Sequence, residues 1–365
     1  MIYLDWSSTT PICAAARRVI AAHVDDWGNP SSSYEFGRRS RVLIEDARER
    51  IAKCINAKPN EIYFTGGGSE ANTWALHGRR SLASRIEHHS VDTYFGVYTE
   101  KDGTLNPEYA NSVMNHYAYR LGQPIDILSC AYVNNEIGTI QPIKELAKIA
   151  HNNHALFHTD AVQAVGHIPV DVKDLGCDML SASGHKFGAP KGIGFLYVKD
   201  GVGINPLIYG GKQEQGKRGG TENIIGIVSM AAALEDAVEH MEERNQHIKT
   251  LRDGMLDKLL RIEGSHLNGS LENRVVSNIN ICFDRVPGAR LVTLCDMYGI
   301  CISSGSACNE GTAEPSHVLK AIGLTNEEAL NSVRITVGYR NFEMEVEDAA
   351  NIITKLIERI RSDEE

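Results

Sequence analysis

From about residue 60 to 200, short apolar runs alternate with stretches of helical periodicity. The runs "EIYFTGG", "IDILSCAYV", "ALFHTDA", "DMLSAS" and "GIGFLYV" are too apolar to have one wet face, whereas "SEANTWALHGRR" and "IKELAKIAHNN" repeat on a helical period. This alternation predicts an α/β fold, a mostly parallel sheet covered by helices on both sides. Further on, a long helical stretch from about 223 to 262 leads to the strand "VSNINICF" and a helix near 289 to 299. The segment "CISSGSACNEGTAEPSHVL", the strand "SVRITV" and a closing helix from about 344 complete the chain. Short strands between helices predict a smaller α+β second domain beginning near residue 245. With 365 residues the chain exceeds the size that one core usually serves, in keeping with two domains.

In open sheets of this kind ligands gather beyond the carboxyl ends of the strands, and here those ends carry "TGGGSE", "NNEIG", "HTDAVQ" and "SGHK". Lys186 follows Ser-Gly-His and precedes a glycine-spaced apolar strand. An amine pushed toward neutrality in a pocket is a nucleophile that forms a Schiff base with an aldehyde; a loop lysine before an edge strand is the plainer alternative. The run Gly66-Gly67-Gly68-Ser69, between a strand and a helix, offers free N–H groups and a hydroxyl as a phosphate cradle, unless it is a simple glycine turn. It matches neither the P-loop nor the dinucleotide fingerprint. Asp160 at a strand end can hold a pyridine nitrogen protonated, or can cap a helix. Phosphate, ring nitrogen and aldehyde are the three needs of pyridoxal phosphate, and these residues meet them in chain order.

Cys308 lies in the run "SSGSAC", among Ser, Gly and Ala rather than apolar neighbours, which marks it as the reactive thiol of the eight cysteines. The others, at 13, 54, 130, 177, 282, 295 and 301, form no C-x-x-C pair and read as reduced core thiols. Arg334, in "SVRITVGYR", has the planar fork that suits an amino-acid carboxylate, although a surface arginine on a strand end is equally consistent with its place. The spacing of His151, His154 and His158 looks metal-like but runs off a helix into a strand, so the three need not converge.

Composition narrows the classes further. Hydrophobic residues make up 42% of the chain and charged residues 23%, as in an ordinary globular enzyme. A formal net charge of -10 argues against broad electrostatic binding of nucleic acid or anionic membranes. The start "MIYLDWSSTTP" lacks a signal-peptide pattern and no apolar run approaches ~20 residues, so a soluble, cytoplasmic protein is expected.

These motifs together resemble the NifS/IscS-type cysteine desulfurases, a group within the class V, fold type I pyridoxal-phosphate enzymes. The resemblance runs from "YLDWSSTTP" through "GNPSSSYEFGRRSR", "TGGGSEAN", "EHHSV", "VNNEIGTIQPI", "HTDAVQAVG", "SGHKFGAPKGIGFLYV" and "RGGTEN" to "SSGSACNEGTAEPSHVL" and "VRITVG", essentially the whole chain. It implies an N-terminal arm (1–14) associated with the small domain, a large cofactor-binding domain (15–245) and a small C-terminal domain (246–365) carrying the cysteine loop. Residue by residue, it makes Lys186 the Schiff-base lysine, Asp160 the partner of the pyridinium nitrogen and Gln163 the contact of the ring hydroxyl, with His88 stacked on the ring. Gly68, Ser69, Ser183 and His185 would bind the phosphate, joined by Thr221 from a second subunit, so that a homodimer is part of the site. Asn135 and Arg334 would receive the substrate carboxylate, and Cys308 the sulfur.

The implied reaction turns L-cysteine into L-alanine and leaves a persulfide on Cys308 for an acceptor protein, such as an iron–sulfur scaffold or a tRNA-thiolation or DNA-phosphorothioation component. The long segment around Cys308 resembles the branch with a mobile cysteine loop. Departures from the family pattern are Tyr34 in place of a histidine, "DWSSTTP" in place of an Ala-rich run, Lys212 within a glycine triplet, and Asn309-Glu310 after the cysteine. None removes a catalytic group, but those beside Cys308 bear on the choice of acceptor. An aminotransferase or selenocysteine lyase of the same class would also use Lys186 and Asp160, but the transaminase would survive Cys308→Ala and the lyase would largely ignore cysteine; a silent scaffold would keep the fold but hold no coloured cofactor.

Overall fold

The computed structural model describes residues 1–91, 95–304 and 314–363. A first short strand, β1 (Ile2–Tyr3), opens an arm that runs to the helix Ala14–His23. The main sheet is built from β2 (Ile62–Thr65), β3 (Ser81–Ser84), β4 (Phe95–Val97), β5 (Ile127–Ser129), β6 (Leu156–Asp160), β7 (Met179–Ser183) and β8 (Gly194–Val198). Its order is β2-β8-β7-β6-β5-β3-β4. Strands β7, β6, β5, β3 and β4 are mutually parallel, and β8 alone runs antiparallel to both of its neighbours, β2 and β7. The sheet is thus mostly parallel, as the apolar runs predict.

Successive residues of a strand point to opposite faces, and both faces here are covered. Phe64 pairs with Phe195 on one face, where Leu82, Leu128 and Phe157 join them under the helices Glu35–Cys54 and Ile224–Glu239. Tyr63 pairs with Leu196 on the other, beside Trp74, Ala75 and Met179. The strand that follows Lys186 therefore lies inside the sheet and not at an edge. Strands β3 and β4 were not among the predicted runs: "SLAS" carries neither a β-branched nor an aromatic residue, and its place beside β5 comes from tertiary packing.

A second, antiparallel sheet places β10 (Asn278–Phe283) between β9 (Ser265–Leu267) and β12 (Ser332–Thr336), while β11 (Ile300–Cys301) pairs with β1. Ile279, Ile281, Phe283, Val333 and Ile335 alternate onto one face of this sheet, packed on Leu251 and Met255 of the helix Met241–Leu259 and on Ile353 and Ile357 of the closing helix Glu343–Ser362. The intervening Asn278, Asn280 and Arg334 turn the other way and bond the main chain of residues 135 and 136, beyond the large sheet. The stretch expected as helix from 223 to 262 is two helices joined at His240. Leu4 of the arm is fully buried in this second core, and burying one leucine side chain is worth ~1.5–3 kcal/mol. Among the described residues no helix is long and apolar enough to cross a membrane.

Candidate active site

A cavity of about 300 Å³ opens beyond the carboxyl ends of β2, β6 and β7. Gly68, Ser69, His88, Asn135, Asp160, Gln163, Ser183, His185, Lys186 and Arg334 all line it, so residues far apart in the chain meet at one place. Thr221 is exposed and is not part of this lining. Cys308, with Asn309 and Glu310, lies outside the described residues.

The glycine run forms a helix start. Gly67 caps the helix Gly68–Leu76 at φ +151°, a backbone that side chains rarely adopt. A Cβ on Gly68 would sit 2.6 Å from Val162 Cγ2, so any larger residue here crowds the β6 loop that the helix approaches. Gly68 and Ser69 of the first turn, with Ser183, line the cavity, and a helix start of this kind suits an anion. Glu70 is engaged elsewhere: its Oε2 accepts from the N–H of Gly66 at 2.7 Å, and Arg218 pairs with it.

Asp160 ends β6 and caps no helix. Its Oδ1 accepts from Val162 N at 2.9 Å and its Oδ2 from Asn72 Nδ2 at 2.6 Å. Asn72 also donates to Ser90 Oγ at 2.9 Å, and Ser90 Oγ lies 2.7 Å from His88 Nδ1. The carboxylate and the imidazole are thus oriented by one buried chain of hydrogen bonds. Burial, and then Lys186, His89 and His317, lower the His88 pKa against the opposing pull of Asp160, so the ring is neutral at pH 7.

Lys186 closes the turn Gly184–Lys186 after β7 and is half-buried. Its Nζ donates to the main-chain carbonyls of Ser7 at 2.6 Å and Ser8 at 2.8 Å. Gln163 Nε2 donates to the same Ser7 carbonyl at 2.9 Å, and Thr9 Oγ1 lies 3.1 Å from His185 Nδ1. Burial pushes His185 down to about 4, aided by Lys186 and Lys191. Arg334, 2% exposed, donates from Nη1 to the Asn135 carbonyl at 3.0 Å and from Nη2 to Asp5 Oδ1 at 2.7 Å, while its Nε has no partner among the described residues. A buried guanidinium with donors to spare is suited to a carboxylate ligand.

Sequence reasoning missed Asp5, Ser7, Ser8, Asn72, Ser90 and Glu87. Glu87, beside His88, accepts from Ala131 N at 2.9 Å and from Ser84 Oγ, yet burial pushes its carboxyl up to about 8. Its place in "EHHSV" was the available signal. The histidines of the metal-like spacing separate: His158 sits between Ser129 Oγ and Ser181 Oγ, held down to about 3 by burial, while His151 bonds Asp178. Burial pushes Cys54 and Cys282 up to about 11 and Cys177 and Cys295 up to about 12, so all four stay protonated at neutral pH.

Residues 2–348 match the model of the aminotransferase class-V family. The chain belongs to that family. This class-V chain is 39% identical to the cysteine desulfurase IscS of Methanosarcina thermophila over 384 aligned positions, which cover 99% of it and 93% of that protein. Such a match places it among the cysteine desulfurases, a family that depends on pyridoxal phosphate. The class-V fold is shared with a solved NifS-like protein at a TM-score of 0.88 and 31% identity, over 98% of this chain and 99% of that one. SspA, solved in complex with cysteine, superposes at a TM-score of 0.80 with 31% identity, over 94% of this chain and 100% of that one.

Proposed function

We propose that this protein is a pyridoxal-phosphate-dependent cysteine desulfurase that converts L-cysteine to L-alanine and takes the sulfur onto Cys308 as a persulfide. The observation that carries this reading is the meeting of an amine (Lys186), an anchored carboxylate (Asp160) and a glycine-walled helix start (Gly68, Ser69) around one cavity. That donor set fits pyridoxal 5'-phosphate: Gly68, Ser69, Ser183 and His185 for the phosphate, Asp160 for the ring nitrogen, Gln163 for the ring hydroxyl and His88 for the ring face. Bound there, the cofactor supplies an aldehyde for amine exchange and a sink for electrons from the substrate's α-carbon.

The chain's own groups do the rest. Asn135 and Arg334 hold the substrate carboxylate and so present the α-carbon to Lys186 Nζ, which takes its proton. The neutral His88 ring, its Nδ1 accepting from Ser90 N at 3.1 Å, lines the cavity and can move a proton there. Cys308 Sγ, as a thiolate, forms an S–S bond with the substrate sulfur; the substrate's C–S bond breaks with its electron pair left on the β-carbon, which takes up a proton, and the carbon skeleton leaves as alanine. The persulfide then passes to an acceptor protein of the iron–sulfur, tRNA-thiolation or DNA-phosphorothioation kind.

Exposure of Thr221, apart from the cavity of its own chain, supports a homodimer in which Thr221 of the partner subunit completes the phosphate site. Free thiols at the seven described cysteines support a cytoplasmic location, where such groups stay reduced. The test is alanine and sulfide production from L-cysteine with reductant, comparing wild type with Cys308→Ala and following visible absorbance. The expected mutant stays yellow and makes neither product. Full activity in that mutant would remove Cys308 as the acceptor, and colourless protein in both would remove the cofactor.

A further inference from the structure

We propose that Glu136 is a positioning residue: its buried carboxylate, through Ser316, fixes the chain that follows the Cys308 segment against the turn that binds substrate. The proposal rests on the desulfurase reading and adds to it a group outside the cavity lining.

The turn is built first from the large sheet's side. Asn134 Oδ1 accepts from the N–H groups of Glu136 and Ile137, both at 2.9 Å, and Asn134 Nδ2 donates to the Ile86 carbonyl at 2.7 Å. The small sheet then grips it from the other side. Arg334 Nη1 donates to the Asn135 carbonyl, and Asn278 Nδ2 and Asn280 Nδ2 both donate to the Glu136 carbonyl, at 2.9 and 3.2 Å. Gly138, at φ +72°, allows that approach: a Cβ there would sit 2.7 Å from Asn278 Cβ.

The Glu136 side chain adds a link that the turn itself does not need. It is 1% exposed, and its Oε2 accepts from Ser316 Oγ at 2.5 Å. The same hydroxyl accepts from Val318 N and Leu319 N, capping the helix His317–Ala321. Val318, Leu319 and Ile322 of that chain pack on Ile86 and Ile137, each next to a site loop, and His317 Nε2 lies 2.9 Å from the Glu87 carbonyl. Ser316 stands eight positions after Cys308. One carboxylate thus sits between the residue that takes the substrate carboxylate, Asn135, and the chain leading from the sulfur acceptor. Its Oε1 is buried without a partner among the described residues, a cost that an apolar filler of the same volume would avoid.

The experiment follows holoenzyme mixed with L-cysteine, reading the absorbance change as a function of substrate and, separately, the rate of persulfide formation on Cys308 by alkylation and mass spectrometry. Ser316→Ala removes the bond and the cap, Glu136→Leu removes the bond alone, and Ser316→Thr keeps the hydroxyl. Both removals are expected to slow persulfide formation by roughly ten- to a hundredfold, the effect of holding reacting groups about 1 Å out of place, with half-saturating cysteine nearly unchanged. Ser316→Thr restores the rate, and the double variant is no slower than the slower single one. Unchanged persulfide formation in folded Ser316→Ala overturns the proposal, as does a loss that appears wholly in half-saturating cysteine. Wild type that makes no alanine would instead overturn the desulfurase reading.

Discussion

Asp160 and Ser183 reach the cavity from the ends of β6 and β7 through their side chains, whereas the N-terminal arm reaches it through the main-chain carbonyls of Ser7 and Ser8. The sheet is a scaffold whose pleat and twist place each side chain, so its contribution resides in residue identity. The arm is held by its own anchors: Leu4 in the second core, β1 on β11, and Asp5 on Arg334. Its contribution resides in where the backbone runs. Substitution should therefore be decisive on the sheet side and nearly silent on the arm, unless it moves the arm's path.

The largest expected effect is on the sheet side. Lys186→Ala removes the amine that two arm carbonyls hold, and alanine production should fall by at least ~10²–10⁴-fold, the usual contribution of a positioned acid–base group. The purified variant should also lose the yellow form expected of wild type. Retention of both colour and turnover would mean that another amine serves, and that the arm carbonyls hold Lys186 for structure alone.

The comparison is sharpest at Ser8. Its N–H donates to the Asp5 carbonyl at 3.0 Å, the bond that turns the arm toward the site. Ser8→Pro deletes that donor and should shift both carbonyls, slowing turnover by up to ~10²-fold. Ser7→Ala and Ser8→Ala leave the carbonyls in place and should stay within a few-fold of wild type. If either alanine variant fell as far as the proline, the hydroxyls and not the main chain would be the arm's working groups.

This division also accounts for what the sequence made legible. The main sheet was readable because covered strands must be apolar, and the floor of the site because glycines, a lysine and an aspartate at strand ends have few structural uses. Strand β3 was not, since "SLAS" is a strand only by its neighbours. The carbonyls of Ser7 and Ser8 left no trace, because every residue has one. Asn72 and Glu136 were hidden for another reason: each acts on a residue far away in the chain, Asp160 and Ser316, and only the fold brings those pairs together.

A smaller effect probes the sheet side for steric demand. Gly68→Ala puts a methyl 2.6 Å from Val162 Cγ2 and 3.4 Å from Ser183 Cβ. Because Val162 is a side chain and can yield, part of the overpacking relaxes, and cofactor affinity should weaken by about tenfold, or ~1.4 kcal/mol. Val162→Ala should restore it in the double variant, as measured by titration of the apoprotein with pyridoxal phosphate. No rescue would mean that Gly68 matters for its backbone and not for the space beside it.

The smallest effect falls on a side-chain contact between the arm and the sheet side, Thr9 Oγ1 to His185 Nδ1. Thr9→Val removes a single hydrogen bond, worth about 0.5–1.5 kcal/mol of stability, and because Thr9 reaches the cofactor site only through His185, cofactor affinity should change by only a few-fold. The pH dependence makes the measurement informative. His185 is held at about 4 when folded, below the ~6.5 of an unfolded histidine, so between those values the unfolded chain binds the extra proton. Its contribution to stability is therefore complete above pH ~6.5 and is lost as pH falls toward 4. Burial, not Thr9, is the chief cause of the low value, so Thr9→Val should lower stability slightly at every pH and leave this slope in place. Denaturant melts from pH 4.5 to 7, paired with an NMR titration of the His185 ring, decide the point. A slope that vanished in Thr9→Val would show that the arm sets the titration of this strand-end histidine, and the division between sheet side chains and arm backbone would fail at that residue.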